Sequence, residues 1–172
     1  VASSTFDIQA YEHLCRLWTM VLEISVMMAQ FPSKPIAELS YEFRTLGLGY
    51  ANIGGLLMTM GLSYDSNEGR ALCGALTAVM TGVSYATSAE MASELGAFPD
   101  YKRNAQSMLR VIRNHRRAAH GAAGGYEKLA VDPVPLHAEE FPPPALITHA
   151  RAAWDRALEL DEKQGFRTAP AT

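Results

Sequence analysis

Three arginines in the second half of the sequence have the clearest potential for ligand chemistry. Arg113, Arg116 and Arg117 are spaced three and four residues apart, so a helix would place them on one face. Guanidinium groups bind phosphate through paired hydrogen bonds, and this spacing predicts a nucleotide- or anion-binding surface. Two other interpretations fit the same run: a solvated helix face, or basic residues that stabilise the negative end of their own helix.

A glycine-rich stretch over residues 46–55 (LGLGYANIGG) invites comparison with phosphate-binding loops. It matches neither the dinucleotide fingerprint nor the P-loop, because no lysine follows and the glycine spacing differs from both. Glycines more often serve tight turns and the close approach of neighbouring elements. We therefore predict a turn or short extended piece with close helix packing at this stretch.

The histidines, cysteines and carboxylates form no metal-binding or catalytic pattern. The five histidines include no pair at ligand spacing, and no Cys-x2-Cys motif occurs. Cys73 lies among apolar residues, which would not lower the pKa of its thiol. Glu90 and Glu94 share a helix face but lack the Glu-x-x-His motif of di-iron sites. The sequence therefore predicts no metal site and no catalytic residue.

Length and composition indicate one ordinary globular domain. The chain has 172 residues, of which 48% are hydrophobic and 19% charged. A net charge of -3 argues against nucleic acid as a partner. We find no apolar run of about 18 residues and no signal-peptide pattern in residues 1–4, and therefore predict no membrane partner. Cys15 and Cys73 read as reduced, buried thiols, which predicts a cytoplasmic location.

Apolar residues recur at helical spacing along most of the chain. This periodicity predicts a mainly α fold, a bundle of about six helices with little or no strand. The helices are expected at about residues 7–30, 33–43, 50–60, 66–95, 100–119 and 145–164. We predict a single helical domain over residues 1–172, with a core of 7–120, a proline-rich connector of 121–144 and a C-terminal helix of 145–164.

Helix boundaries and small residues add detail to this pattern. Asp7 and Asp65 are expected N-caps, and Glu68 would complete a capping box with Asp65. The helix over residues 66–95 has a small residue near every fourth position. Each glycine inside a helix costs about 1 kcal/mol relative to alanine. We therefore expect another helix to pack closely against this one.

Several longer phrases occur in an order that a known family shares. The chain resembles the stretch that follows the radical loop in adenosylcobalamin-dependent (class II) ribonucleotide reductases. The resemblance covers nearly the whole chain and is weakest from about residue 121 to 145. Its phrases are residues 17–26 (LWTMVLEISV), 31–34 (FPSK), 43–52 (FRTLGLGYAN), 64–66 (YDS), 86–91 (ATSAEM), 111–119 (VIRNHRRAA) and 165–169 (GFRTA).

The resemblance implies a radical reaction in the parent enzyme. Cobalamin homolysis there produces a thiyl radical that removes a ribose hydrogen, and a cysteine pair supplies the electrons. The family's radical cysteine lies on an Asn-x-Cys-x-Glu loop, which this sequence lacks, as it lacks the family's Pro-Thr-Gly-Thr phosphate loop. Cys15 and Cys73 match no catalytic cysteine of the family. Adenosylcobalamin therefore belongs to the parent family, and no cofactor is expected to bind this chain tightly.

Three functional hypotheses follow for the chain. In the first, it is a helical segment of a vitamin B12-dependent ribonucleotide reductase and is not competent alone. Its partner is then the remainder of the reductase chain, or a second copy that binds its apolar faces. The alternatives are a free-standing helical protein-interaction module and a non-catalytic nucleotide-binding domain that uses the basic face at Arg113–Arg117.

Overall fold

The computed structural model describes residues 6–137 and 143–171. The predictions made for residues 1–4, for connector residues 138–142 and for Thr172 lie outside the described residues. The mainly α fold with six helices is confirmed. The elements in chain order are α1 (Ile8–Met28), α2 (Lys34–Phe43), β1 (Thr45–Gly47), α3 (Ile53–Thr59), α4 (Asn67–Leu95), α5 (Tyr101–Ala119), α6 (Pro144–Gln164) and β2 (Ala169–Ala171).

Helix α4 forms the centre of the structure. It packs most extensively against α6, then against α1, and α5 packs mainly on α6. One apolar cluster joins Leu72, Val79 and Leu146, and a second joins Ile112, Trp154 and Phe166. The predicted close approach is confirmed at Gly82, where an added Cβ would lie 3.0 Å from the Cβ of Ala153. Small residues on α4 therefore allow α6 to reach its backbone.

The two strands pair in parallel, although they lie near opposite ends of the chain. Thr45 pairs with Ala169, Leu46 with Pro170 and Gly47 with Ala171. Within the described residues, each strand has only the other as its neighbour. Parallel strands need a crossover connection, and here the whole helical set from α3 to α6 supplies it.

Local signals placed most helix boundaries within a few residues. Asp7 caps α1 by accepting a hydrogen bond from the Ala10 amide at 2.9 Å. The predicted cap at Asp65 is wrong, because Ser66 accepts from the Gly69 amide instead. Asp65 forms an ion pair with Arg70. Either side chain can cap a helix, so the sequence alone left the choice between adjacent residues open.

Helix α4 is also long and apolar enough to cross a membrane by length and mean hydropathy, contrary to the absence expected from the sequence. Alanine, glycine and hydroxyl residues lie among the larger side chains of this helix, so the sequence shows no continuous run of large apolar residues. No residue from 71 to 89 is charged, however, and this raises the mean hydropathy. In the structure, 61% of this run is buried. The core helix of a soluble protein satisfies the same two criteria.

Two glycine substitutions on α4 should change stability in opposite directions. Gly82→Ala is expected to lower the free energy of unfolding by about 1–3 kcal/mol, because its Cβ overpacks Ala153 and the Trp154 backbone. Gly74→Ala should raise it by about 0.5–1 kcal/mol, because the nearest atom, Leu136 Cδ1, lies at an ordinary 3.6 Å. Urea unfolding of both variants measures the difference. Equal losses would show that close helix approach does not distinguish the two sites.

Candidate functional site

Two of the three arginines identified in the sequence bind carboxylates outside their own helix. Arg113 donates from Nε and Nη2 to the two carboxylate oxygens of Glu127, at 2.6 and 2.8 Å. This pairing raises the pKa of Arg113 and lowers that of Glu127. Arg116 pairs with Asp155 on α6, while Arg117 is exposed. Two of the three guanidiniums thus already have anionic partners, and nucleotide binding here stays a prediction.

The glycine-rich stretch forms part of a strand, a turn and the beginning of α3. Thr45–Gly47 is β1, and Asn52 adopts a left-handed conformation with φ of 65° before α3 begins. The close packing predicted for these glycines is not present in the described part of the chain. An added Cβ at Gly47, Gly49 or Gly55 would meet nothing within 4 Å. Gly47 lies in β1, Gly49 in the turn and Gly55 in α3, and no other element packs closely against any of the three.

The two free cysteines lie in different environments. Cys15 is buried on α1, and burial raises the pKa of its thiol to about 11. Cys73 is half-buried and lines an open cavity of about 740 Å³ between α4, α5 and residues 133–137. His115 stacks on Trp154 beside this cavity at 4.9 Å between ring centroids, and burial lowers the pKa of the imidazole. Among residues 6–137 and 143–171, no three metal-binding side chains converge.

A buried ion cluster was not predicted from the sequence. The Arg44 guanidinium donates from Nη2 to Glu23 Oε1 at 2.5 Å and from Nε to Oε2 at 3.1 Å. Arg167 donates from Nε to the same Oε1 at 2.8 Å. Glu23 and Arg44 are 2% and 1% exposed. One carboxylate on α1 thus binds the residue before β1 and a residue shortly before β2.

The cluster holds the beginnings of the two strands together. Arg44 has a φ of 47°, so it ends α2 and turns the chain into β1. Its carbonyl accepts the Ala169 amide hydrogen bond at 3.1 Å. Charges buried this deeply need excellent geometry and further hydrogen bonds to offset the cost of desolvation. The Glu23 carboxylate thus connects α1 to the residues that lead into both strands.

A serine on α4 fixes the segment that leads into β2. Ser88 Oγ donates to the Thr168 carbonyl at 2.8 Å and accepts from the Thr168 amide at 2.9 Å. The Ser88 carbonyl also accepts the Arg167 amide at 3.1 Å. Ser88 thus forms hydrogen bonds with both the amide and the carbonyl of Thr168, which has no third strand to pair with in the described residues. The sequence did not predict this role, because a serine within a helix gives no signal of a distant backbone partner.

An aspartate on the last turn of α6 is buried beside a tyrosine. Asp161 is 3% exposed and accepts a hydrogen bond from the Tyr101 hydroxyl on α5. Burial raises the pKa of Asp161 to about 6, and Glu162 adds to this effect. The hydrogen bond from Tyr101 and the charge of Arg113 act in the opposite direction. Asp161 therefore links α5 to the last turn of α6.

The parallel strand pair and the helices around it indicate a class of structure. A parallel strand pair covered by long helices is typical of α/β proteins, in which buried parallel strands form a sheet or barrel under helices. A complete barrel needs more strands than these two. The chain belongs to the ribonucleotide reductase barrel-domain family, which residues 1–172 match over their whole length.

The relatives of this chain confirm its resemblance to the adenosylcobalamin-dependent ribonucleotide reductases. The chain is 74% identical over 172 residues to a vitamin B12-dependent ribonucleotide reductase of Bradyrhizobium diazoefficiens. It is 68% identical over 166 residues to one of Agrobacterium fabrum and 41% identical over 168 residues to one of Rhodopirellula baltica. In the same order, these matches cover 100%, 96% and 98% of this chain. They cover only 14%, 13% and 15% of the three reductases. The chain is thus similar to a small part of each reductase.

The described residues do not fit a complete cobalamin site. The cavity of about 740 Å³ is of a size for a drug-like molecule, whereas a corrin ring with its nucleotide tail is much larger. The unpartnered buried polar atoms found among the described residues are Arg44 Nη1 and Asp161 Oδ2, and neither residue lines that cavity. His120 and His149 face Asp155 and Glu12. No step of a cobalamin reaction is therefore assigned to these residues.

Proposed function

We propose that this chain is the helical scaffold segment of a vitamin B12-dependent ribonucleotide reductase, an enzyme of DNA precursor synthesis, and that it is inactive alone. The supporting observation is the 74% identity along the whole chain to a reductase of which it spans 14%. The partner is the remainder of the same polypeptide, and neither a membrane nor nucleic acid is proposed as one. A cytoplasmic location fits this role.

The contribution of these residues is to position two strands of the barrel. The Glu23 carboxylate binds Arg44 and Arg167, which lie before β1 and β2. Ser88 fixes the backbone of Thr168 from the central helix. Because active-site residues in α/β barrels come from strand ends and the loops that follow them, the alignment of β1 and β2 bears on the geometry of the site.

An exchange experiment tests the proposed function. The segment of the Bradyrhizobium diazoefficiens reductase that matches this chain is replaced by residues 1–172, and ribonucleotide reduction is measured with adenosylcobalamin. We expect turnover by the exchanged enzyme and none by the isolated 172 residues. A folded exchanged enzyme without turnover, or turnover by the isolated chain, would contradict the proposal. The unexchanged reductase is the control.

Nucleotide binding by the basic face of α5 is a separate prediction. If this surface binds phosphate, ribonucleotides should raise the melting temperature of the isolated chain, and Arg113→Ala with Arg117→Ala should abolish that shift. A nucleotide at about 100 times its dissociation constant would add roughly 2.7 kcal/mol of stability. Lys34→Ala with Lys163→Ala, at exposed positions on α2 and α6, is the matched loss of two positive charges. An unchanged shift in the double variant would remove this function.

A further inference from the structure

From about residue 14 onward, helix α1 exposes a row of apolar side chains and buries the polar Thr19 and Glu23, the opposite of an ordinary surface helix. Its buried residues, which face the interior, are Cys15, Thr19 and Glu23. Its outward side has an apolar stripe, defined as Leu14, Leu17, Trp18, Val21, Ile24 and Met28, whose exposed fractions range from 37% to 78%. A surface helix normally buries its apolar side and exposes its polar one. The apolar stripe is therefore a surface that another element covers.

The spacing of the apolar stripe indicates continuous packing along the helix. Its members recur three and four residues apart from Leu14 to Met28, so they form one ridge along most of α1. At about 1.5 Å per residue this ridge is roughly 20 Å long. Exposed apolar patches of this extent on a single chain mark interaction surfaces.

The strand beside α1 also lacks a partner on one side. Within the described residues β1 pairs only with β2, so its other edge has unpaired backbone groups. The Glu23–Arg44 ion pair holds α1 next to the start of β1. Open strand edges bind further strands, and the family match is to a barrel, which closes such edges. The described residues thus have two incomplete surfaces, the apolar stripe on the outward side of α1 and the open edge of β1.

We infer that the apolar stripe of α1 docks against the part of the reductase polypeptide that lies outside residues 1–172. The length of that part supports this occupant, because the chain makes up only 14% of its 74%-identical relative. A second copy of this chain would cover the stripe but would leave the barrel without further strands. The inference rests on the proposed function only in taking the surrounding polypeptide to be a reductase.

Methionine oxidation tests the surface directly. Met28 is 78% exposed and is the last residue of the stripe. We expect hydrogen peroxide to oxidise Met28 rapidly in the isolated chain and at least tenfold more slowly in the Bradyrhizobium reductase that contains residues 1–172, as read by mass spectrometry. Equal rates in the two proteins would overturn the inference. Protection in the isolated chain that grows with its concentration would also overturn it, in favour of a second copy.

A second measurement uses the natural reductase and therefore does not depend on the folding of the exchanged enzyme. Carbene labelling of the natural Bradyrhizobium reductase should label the peptide matching Ile8–Met28 several-fold less than the same peptide of the isolated chain. Equal labelling would overturn the inference. Turnover is assayed separately, so an inactive enzyme with a protected stripe counts against the proposed function alone. An active enzyme with an unprotected stripe counts against the docking alone.

Discussion

Replacing Glu23 by alanine is expected to lower the free energy of unfolding of the isolated chain by about 3–5 kcal/mol, because it leaves Arg44 buried without its anion. Arg44 is 1% exposed, and the Glu23 carboxylate accepts two of its hydrogen bonds. Arg167 loses the same carboxylate. Urea denaturation followed by circular dichroism measures the change as a lower midpoint.

Glu90→Ala is the matched control. Glu90 also lies on a helix and faces two arginines, Arg16 and Arg156, but its side chain is 30% exposed. Ion pairs near solvent contribute about 0–1 kcal/mol, so this variant should lose little stability. Similar losses for both variants would mean that burial of the Glu23 cluster does not determine its contribution.

Replacing Asp161 by asparagine should remove a pH dependence from the stability of the chain. The pKa of Asp161 is about 6 in the folded chain, against an ordinary value of 3.8. Between these values the folded state binds more protons than the unfolded state, so this group destabilises the fold progressively as pH rises. The cost is fully present above pH 6 and is lost as pH falls towards 4. It amounts to about 3 kcal/mol, since each pKa unit corresponds to about 1.4 kcal/mol.

The measurement is the stability difference between the Asp161→Asn variant and the unchanged chain at several pH values. We expect this difference to move in favour of the variant by up to about 3 kcal/mol from pH 4 to pH 8. Asp132→Asn, at an exposed position in residues 121–137, removes the same charge and is the control. A constant difference for Asp161→Asn would contradict the raised pKa.

Local signals predicted the helices of this fold well. Asp7, Gly61 and Gly96 lie at or next to helix ends because capping and left-handed conformations depend on residue type and near neighbours. The strand pair was missed for the opposite reason. Three residues cannot show strand periodicity, and Thr45–Gly47 pairs with a segment far along the chain. Such pairing depends on tertiary packing, which no local pattern encodes.

For the site residues too, the sequence predicted local spacing but not the partners that tertiary packing supplies. The spacing of Arg113, Arg116 and Arg117 was correct on the helix, but their carboxylate partners come from other segments and could not be inferred. Glu23 gave one signal, a lone carboxylate within an apolar helix stretch. Interpreting that signal as a buried ion pair required knowing that Arg44 and Arg167 approach the same carboxylate. The family resemblance came instead from several long phrases in order, which no single site residue supplies.

The pairing of the first strand with the last sets the order in which this segment can mature on the ribosome. Gly47 and Ala171 are roughly 120 residues apart, and synthesis at about 5–20 residues per second separates their emergence by about 6–25 s. During that interval the edge of β1 that later binds β2 is available to other nascent chains. Helices α4 and α6 can dock on each other first, because the contacts between them do not require the strand pair. Chaperone protection of the nascent polypeptide should therefore matter most between the emergence of β1 and the release of β2.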